Sequence, residues 1–150
     1  MLKSLAFCLY HLDTELFPPY NKIKRGEKME AIISIKPRFV EKILNGRKRF
    51  EYRKSFSKKM PEKCYIYATK PVGKVIGFFT IKQVLRDGPE KIWELTKEKA
   101  GITKDFFNQY YFGKDEAIAI EIESVTVFKK PKDYKEIDSS GRVPQTYKIL

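Results

Sequence analysis

Histidine and cysteine are almost missing from this 150-residue chain, which carries one His, His11, and two Cys, Cys8 and Cys64. That scarcity excludes a zinc site of the usual Cys/His kind, and with no Ser–His or Cys–His pairing outside the N-terminal stretch it argues against a standard nucleophilic triad. Chemistry, if there is any, must come from Lys, Glu, Tyr or Thr. Long apolar runs are lacking too, and nothing approaches the ~20 residues that cross a bilayer as a helix. The run at positions 5–10, behind Lys3, is short and soon broken by His11 and Asp13, so it makes a poor signal peptide. The expectation is a cytoplasmic protein with reduced thiols, no membrane segment, no metal and no cofactor. Acidic residues are also few: 19 Asp and Glu face 31 Lys and Arg, a formal charge of +12. A surplus of that size draws polyanions through a long-range, salt-sensitive field, and nucleic acid heads the list of partners.

Apolar residues make up 42% of the chain, with 11 Phe, 9 Tyr and 1 Trp, enough to fold, and the length suits one domain. Residues 1–28 show no strand or helix period and read as an extension; the domain is expected over residues 29–150. A second reading makes Met29 the native start, because Arg25-Gly26-Glu27-Lys28 is what a purine-rich ribosome-binding site would encode. Cys8 and His11 fall in this extension.

From residue 31 the pattern is regular. Ala31-Ile32-Ile33-Ser34-Ile35 reads as a buried first strand, and Pro37 suits the first turn of a helix. Phe39, Val40, Ile43 and Leu44 then share one helical stripe, Arg38, Glu41 and Lys42 look outward, and Asn45-Gly46 ends the helix. Strands are expected at about 47–54, 64–69 and 74–85, with a bulge or corner at Gly77. Asp87-Gly88-Pro89 opens a helix running to about Ala100, in which Trp93 is core. Thr103 caps a short one bearing Phe106, Phe107, Tyr110 and Tyr111, read as packing except for an exposed Tyr111. In the strand at 116–128 the apolar phase moves from Ile118, Ile120 and Ile122 to Val125 and Val127, a slip near Glu123-Ser124 that a curved sheet needs. Short strands with helices inserted irregularly between them imply an α+β class and a small mixed barrel.

Residues 36–63 hold eleven Lys or Arg against three Glu, a net +8 that is two thirds of the formal charge. Such a stretch is either a solvated lysine-rich face or a phosphate-tracking surface. Phe50, Tyr52, Phe56, Tyr65 and Tyr67 are interleaved with the cations, as a surface that stacks single-stranded bases would require; alternating strand aromatics are also common in cores. Within it, Gly46-Arg47-Lys48-Arg49-Phe50-Glu51-Tyr52-Arg53 carries the spacing Gly-x-Lys-x-x-Glu-x-Arg. Glu51 and Arg53, two apart on a strand, point the same way within ion-pair reach. Lys48 cannot share their face by alternation, so it must sit in the turn after Gly46 and reach back. Glu51 would then fix both cations, pre-oriented for a phosphate or base carbonyl. The alternative is an ordinary surface ion pair worth ~0–1 kcal/mol.

Preceded by Ser34-Ile35-Lys36-Pro37 and a helix, this motif resembles the signature of ASCH domains, a branch of the PUA-like superfamily, with Gly46, Lys48, Glu51 and Arg53 at the signature positions. The segment Val143-Pro144-Gln145-Thr146-Tyr147 is similar to the Pro-Gln-bearing last strand of that family. The resemblance implies a PUA-like mixed β pseudo-barrel with a cleft at the signature that binds RNA or a nucleotide-like ligand. Lys48 and Arg53 would contact anions, Glu51 would organise them, and Lys36 and Lys54 would extend the basic rim. Ser34 and Gly46 belong to the matched segment; Tyr67 and Thr69 are expected on the cleft wall unless Thr-Lys-Pro is merely a turn, and Gln145 reads a base edge or caps the rim. Some relatives are amidohydrolases of acetylated cytidine, with a Lys matching Lys48 but a Thr where this chain has Glu51, and ribonucleases are a further branch. The alternative function is therefore a hydrolase of a modified nucleoside or of RNA, using Lys48 and Glu51; a third is an adaptor for an acidic protein. Glu51 is expected to hold Lys48 protonated, against nucleophilic use.

Overall fold

The computed structural model describes residues 28–150, so the extension with Cys8 and His11, and the reading of Met29 as the start, lie outside the described residues. The chain folds as β1 (Glu30–Ile35), α1 (Pro37–Leu44), β2 (Phe50–Arg53), β3 (Lys63–Ala68), β4 (Lys74–Asp87), α2 (Pro89–Thr96), α3 (Lys104–Tyr110), β5 (Ala117–Lys132), α4 (Tyr134–Ile137) and β6 (Tyr147–Ile149), with a 3-10 turn at Lys97–Lys99. The strands form a six-stranded sheet in the order β2-β5-β4-β3-β1-β6. Strand β1 is buried from Ala31 to Ile35, as a continuous β-branched run predicts, because it lies inside the sheet between β3, in parallel, and β6, antiparallel.

Register irregularities, most of them between β4 and β5, curl this sheet. At Gly77 the β4–β5 register jumps, and a Cβ there would collide with the carbonyl oxygen of Thr126, so only Gly allows the strands to close. Further along, Thr80 pairs with Ser124 but Ile81 with Ile122, leaving Glu123 bulged out where the apolar phase slips. The curl brings edge strand β2 back toward the opposite edge: the Arg53 guanidinium donates to Ser34 O at 2.9 Å and Thr146 O at 3.5 Å, and the Phe56 and Tyr147 rings meet at 5.1 Å. The result is a half-barrel closed by side chains in place of a ladder, an α+β fold with four helices.

Ile33, Ile66, Phe79, Ile118 and Ile120 fill the interior under α1. A second cluster, of Tyr52, Ile92, Trp93, Phe107 and Tyr111, seats α2 and α3 on β2 and β5. Fully burying one such aliphatic or aromatic side chain contributes about 1.5–3 kcal/mol.

Several elements differ from the sequence expectation. Strand β2 starts at Phe50 because the residues before it bond elsewhere: the amide of Lys48 donates to Lys42 O and that of Arg49 to Lys99 O. Tyr111 is buried at 3% exposure; its hydroxyl donates within reach of Arg53 O (2.9 Å) and Ile118 O (3.0 Å), tying α3 to β2 and β5. Helix α4 was not anticipated, although Asp133 and Glu136 form a capping box around its first turn. Pro144 and Gln145 precede the last strand instead of lying in it. Among the described residues, no helix is long and apolar enough to cross a membrane.

Candidate functional site

The turn at Asn45-Gly46 ends α1 and delivers Lys48 into the interior, where it is 2% exposed. Its ammonium donates to Phe50 O and to Ala100 O (3.1 Å), lies 3.6 Å from Glu51 Oε2, and stands 4.7 Å above the Tyr52 ring. The far wall of this niche is Gly101, whose φ of +68° and missing side chain both matter: a Cβ would sit 2.5 Å from Lys48 Cβ. Lys42, expected to face solvent, instead donates to Gly101 O at 2.9 Å, so two lysines hold adjacent carbonyls of one loop.

On β2, Glu51 Oε1 accepts from the Arg53 guanidinium at 2.8 Å, and both residues are buried, at 6% and 7% exposure. This is no surface pair. Several kcal/mol are spent on desolvating each ion, and removing one partner costs about 3–5 kcal/mol because the others stay behind uncompensated. Glu51 Oε2 and Arg53 Nε are buried without a hydrogen-bond partner. Burial pushes the Lys48 ammonium below its ordinary pKa, and Glu51 opposes that shift by favouring the charged form.

The cluster forms the floor of a cleft of about 330 Å³. Phe39, Tyr52, Ile102, Phe106 and Tyr110 make its walls, while Ser34, Lys36, Thr69, Gln145 and Thr146 supply polar groups. Ser34 Oγ donates to Pro144 O at 2.6 Å, which fixes the segment carrying Gln145 over the end of β1.

A family model described as the ASCH domain matches residues 33–136. The chain belongs to the ASCH domain family. An ASCH domain-containing ribonuclease of Zymomonas mobilis is 29% identical over 123 residues, covering 80% of this chain and 83% of that protein. The crystal structure of ASCH from Zymomonas mobilis superposes with a TM-score of 0.74 at 27% identity, over 81% of this chain and 87% of that one. A shorter match, 32% identical over 71 residues, joins 47% of this chain to 23% of the large ribosomal subunit protein uL22 of Ureaplasma parvum.

In this ASCH domain, seven of the residues singled out from the sequence come together in the cleft: Ser34, Lys36, Lys48, Glu51, Arg53, Thr69 and Gln145. Gly46 adopts φ +78° in the turn, with nothing within 4 Å of a built Cβ, so it shapes the approach of Lys48 and does not line the site. Lys54 is exposed, its ammonium 4.8 Å over the ring of Tyr110, outside the cleft wall. Tyr67 is absent from the wall: it packs edge-on against Tyr134 at 5.6 Å in a separate cluster with Ile32 and Val75. Tyr67 shares the outer face with Tyr65, where Tyr134 covers it. The aromatic walls were missed. Phe106 and Tyr110 read as packing residues from their helical spacing, and no local signal says that α3 stands beside β2. Among the described residues, no group of His, Cys, Asp and Glu is gathered to hold a metal ion.

Proposed function

We propose that this ASCH domain binds RNA or a nucleotide-like ligand in the cleft, with Lys48 and Arg53 supplying positive charge and Glu51 orienting both. The observation that carries this is the gathering of three buried ionisable side chains of one short motif on the floor of a cleft walled by aromatic rings. Burying charges that deeply is expensive, and clefts of roughly 300–1,000 Å³ with apolar walls and a few convergent polar groups are the usual form of a small-ligand site. One nucleotide of a single strand suits it: bases splayed out of a strand stack on aromatic faces and offer polar edges to side chains. The charge of +12 would draw the polyanion in. A cytoplasmic setting, where RNA is at hand, accords with the buried free thiol of Cys64.

RNA cleavage is the second reading, favoured by the burial-lowered Lys48 beside the unpartnered Oε2 of Glu51 and by the relative that is a ribonuclease. Glu51 would accept the 2′-hydroxyl proton as the 2′-oxygen attacks phosphorus. The Lys48 ammonium would pass its proton to the departing 5′-oxygen, a transfer that a lowered pKa eases. Arg53 would offset the charge gained at phosphorus. A 2′,3′-cyclic phosphate and a 5′-hydroxyl are the products.

The test is a short single-stranded RNA incubated with wild type and with Glu51→Gln, followed by binding, gel and end-group measurements. Binding by the wild type that weakens in Glu51→Gln is the expected result, and cleavage leaving cyclic phosphate, reduced about 10²–10⁴-fold in Glu51→Gln, is what the second reading adds. Binding without cleavage would remove the catalytic step and leave the binding role; neither binding nor cleavage would overturn both.

A further inference from the structure

Of the aromatics interleaved with cations in the sequence, Tyr52, Phe56 and Tyr67 are buried. Phe50 and Tyr65 are half-buried: Phe50 packs against the cluster under α2 and α3, whereas Tyr65 on β3 forms a triangle with Phe78 on β4 and Phe128 on β5, both also half-buried. The centroids are 6.0 Å apart for Tyr65–Phe78, 6.5 Å for Tyr65–Phe128 and 6.2 Å for Phe78–Phe128. Cys64 and Ile66 beside Tyr65, and Phe79 beside Phe78, point into the main core, and Phe128 lies two residues from Thr126, the strand partner of Phe78, so by alternation the three rings share the outer face of the sheet. None of them lines the cleft.

Cations stand over this triangle. Lys63 Nζ is 4.8 Å from the Phe78 centroid and Lys132 Nζ 4.6 Å from that of Phe128, and exposed Lys129 and Lys130 continue β5 past Phe128. Glu30 accepts from the Tyr65 hydroxyl at 3.2 Å and pairs with Lys63 at 3.9 Å, which holds ring and lysine in place. Beneath, Tyr65 and Phe128 rest on the cluster of Ile32, Tyr67, Val75 and Tyr134. Three rings on adjacent strands with lysines at their margin are what an unpaired strand requires: flat surfaces for bases and positive charge for phosphates. A duplex would hide its base faces from such a surface.

We propose that Tyr65, Phe78 and Phe128, with Lys63 and Lys132, form a second contact surface for single-stranded RNA, outside the cleft. This surface extends the hold on a strand whose one nucleotide enters the cleft, and so it rests on the RNA reading of that site. Bases stack on the rings as the lysines turn from the rings to the phosphates.

Photocrosslinking with a roughly 12-nucleotide single-stranded RNA carrying 4-thiouridine, followed by peptide mapping, separates the two sites. Crosslinks in the peptides of Phe78 or Phe128, absent with a trinucleotide, are expected. Crosslinks confined to the peptides of Phe106 and Tyr110 overturn this surface and leave the cleft; crosslinks confined to the sheet face overturn the cleft and leave this surface; none at either overturns both. In parallel, Phe128→Leu keeps the apolar contact but removes the planar ring, and should weaken the longer RNA by roughly 10-fold with the trinucleotide unchanged. Lys63→Gln with Lys132→Gln should flatten its salt slope by about 1.4. Affinity and slope equal to wild type in these folded variants would refute the proposal.

Discussion

Replacing Gly101 by Ala isolates what holds the cleft's lysine. Two penalties add at this position. The backbone sits at φ +68°, where any residue with a Cβ costs roughly 1–2 kcal/mol. The new methyl would also lie 2.5 Å from Lys48 Cβ and 2.8 Å from Cγ, so the lysine must leave its niche and give up its bond to Ala100 O or Phe50 O, about 1.5–3 kcal/mol for a charged donor. The sum is about 2.5–5 kcal/mol, on the order of a 10 °C drop in Tm for a domain of this size. Gly113→Ala is the matched control, with φ +72° and nothing within 4 Å of its Cβ, so it pays only the backbone part. Urea denaturation of both variants, with RNA binding measured alongside, decides the matter. Gly101→Ala should be the less stable by about 1.5–3 kcal/mol and should bind RNA more weakly, whereas Gly113→Ala should bind normally. Equal stability of the two variants would mean that the loop yields freely and that Lys48 is not confined by it.

Arg53→Lys keeps a positive charge beside Glu51, but a single ammonium cannot span Ser34 O and Thr146 O together; a loss of about 1–3 kcal/mol is expected, with faster hydrogen exchange at the Ser34 amide, which donates to Thr146 O. Gly77→Ala should leave little folded protein, with a cost above about 4 kcal/mol, because the methyl meets backbone that cannot step aside; soluble yield and circular dichroism check this. Burial pushes the Cys64 thiol up to about 12 from 9.0. Its neutral form is the one the fold accepts, so this contribution is intact below pH ~9 and is lost at up to about 1.4 kcal/mol per pH unit above it, as the unfolded thiol ionises first. Stability measured between about pH 9 and 10 should fall more steeply in wild type than in Cys64→Ala.

Local signals carried the fold far. The β-branched run at β1, Pro37 at the start of α1, Thr103 as the α3 cap, Gly77 and the slipped phase at Glu123 each have a cause within a few residues, and each appears where the pattern put it. The ion pair of Glu51 and Arg53 and the turn position of Lys48 follow from spacing alone. What escaped depends on distant chain. Burial of Lys48 is decided by Ala100 and Gly101, some fifty residues away in sequence, and the aromatic walls by α3 docking beside β2. The parallel pairing of β1 with β3 leaves no mark in either strand. Helix α4 is the exception, because the Asp133–Glu136 box was there to be read.

Closure of the sheet through Arg53 makes the rim of the cleft depend on chain that lies 93 residues further along. The carbonyls of Pro144 and Thr146 anchor Ser34 and Arg53, and β6 covers β1. A proteolytic cut in the turn at Ser139-Ser140-Gly141 would therefore leave the Lys–Glu–Arg floor in place while freeing the segment that carries Gln145.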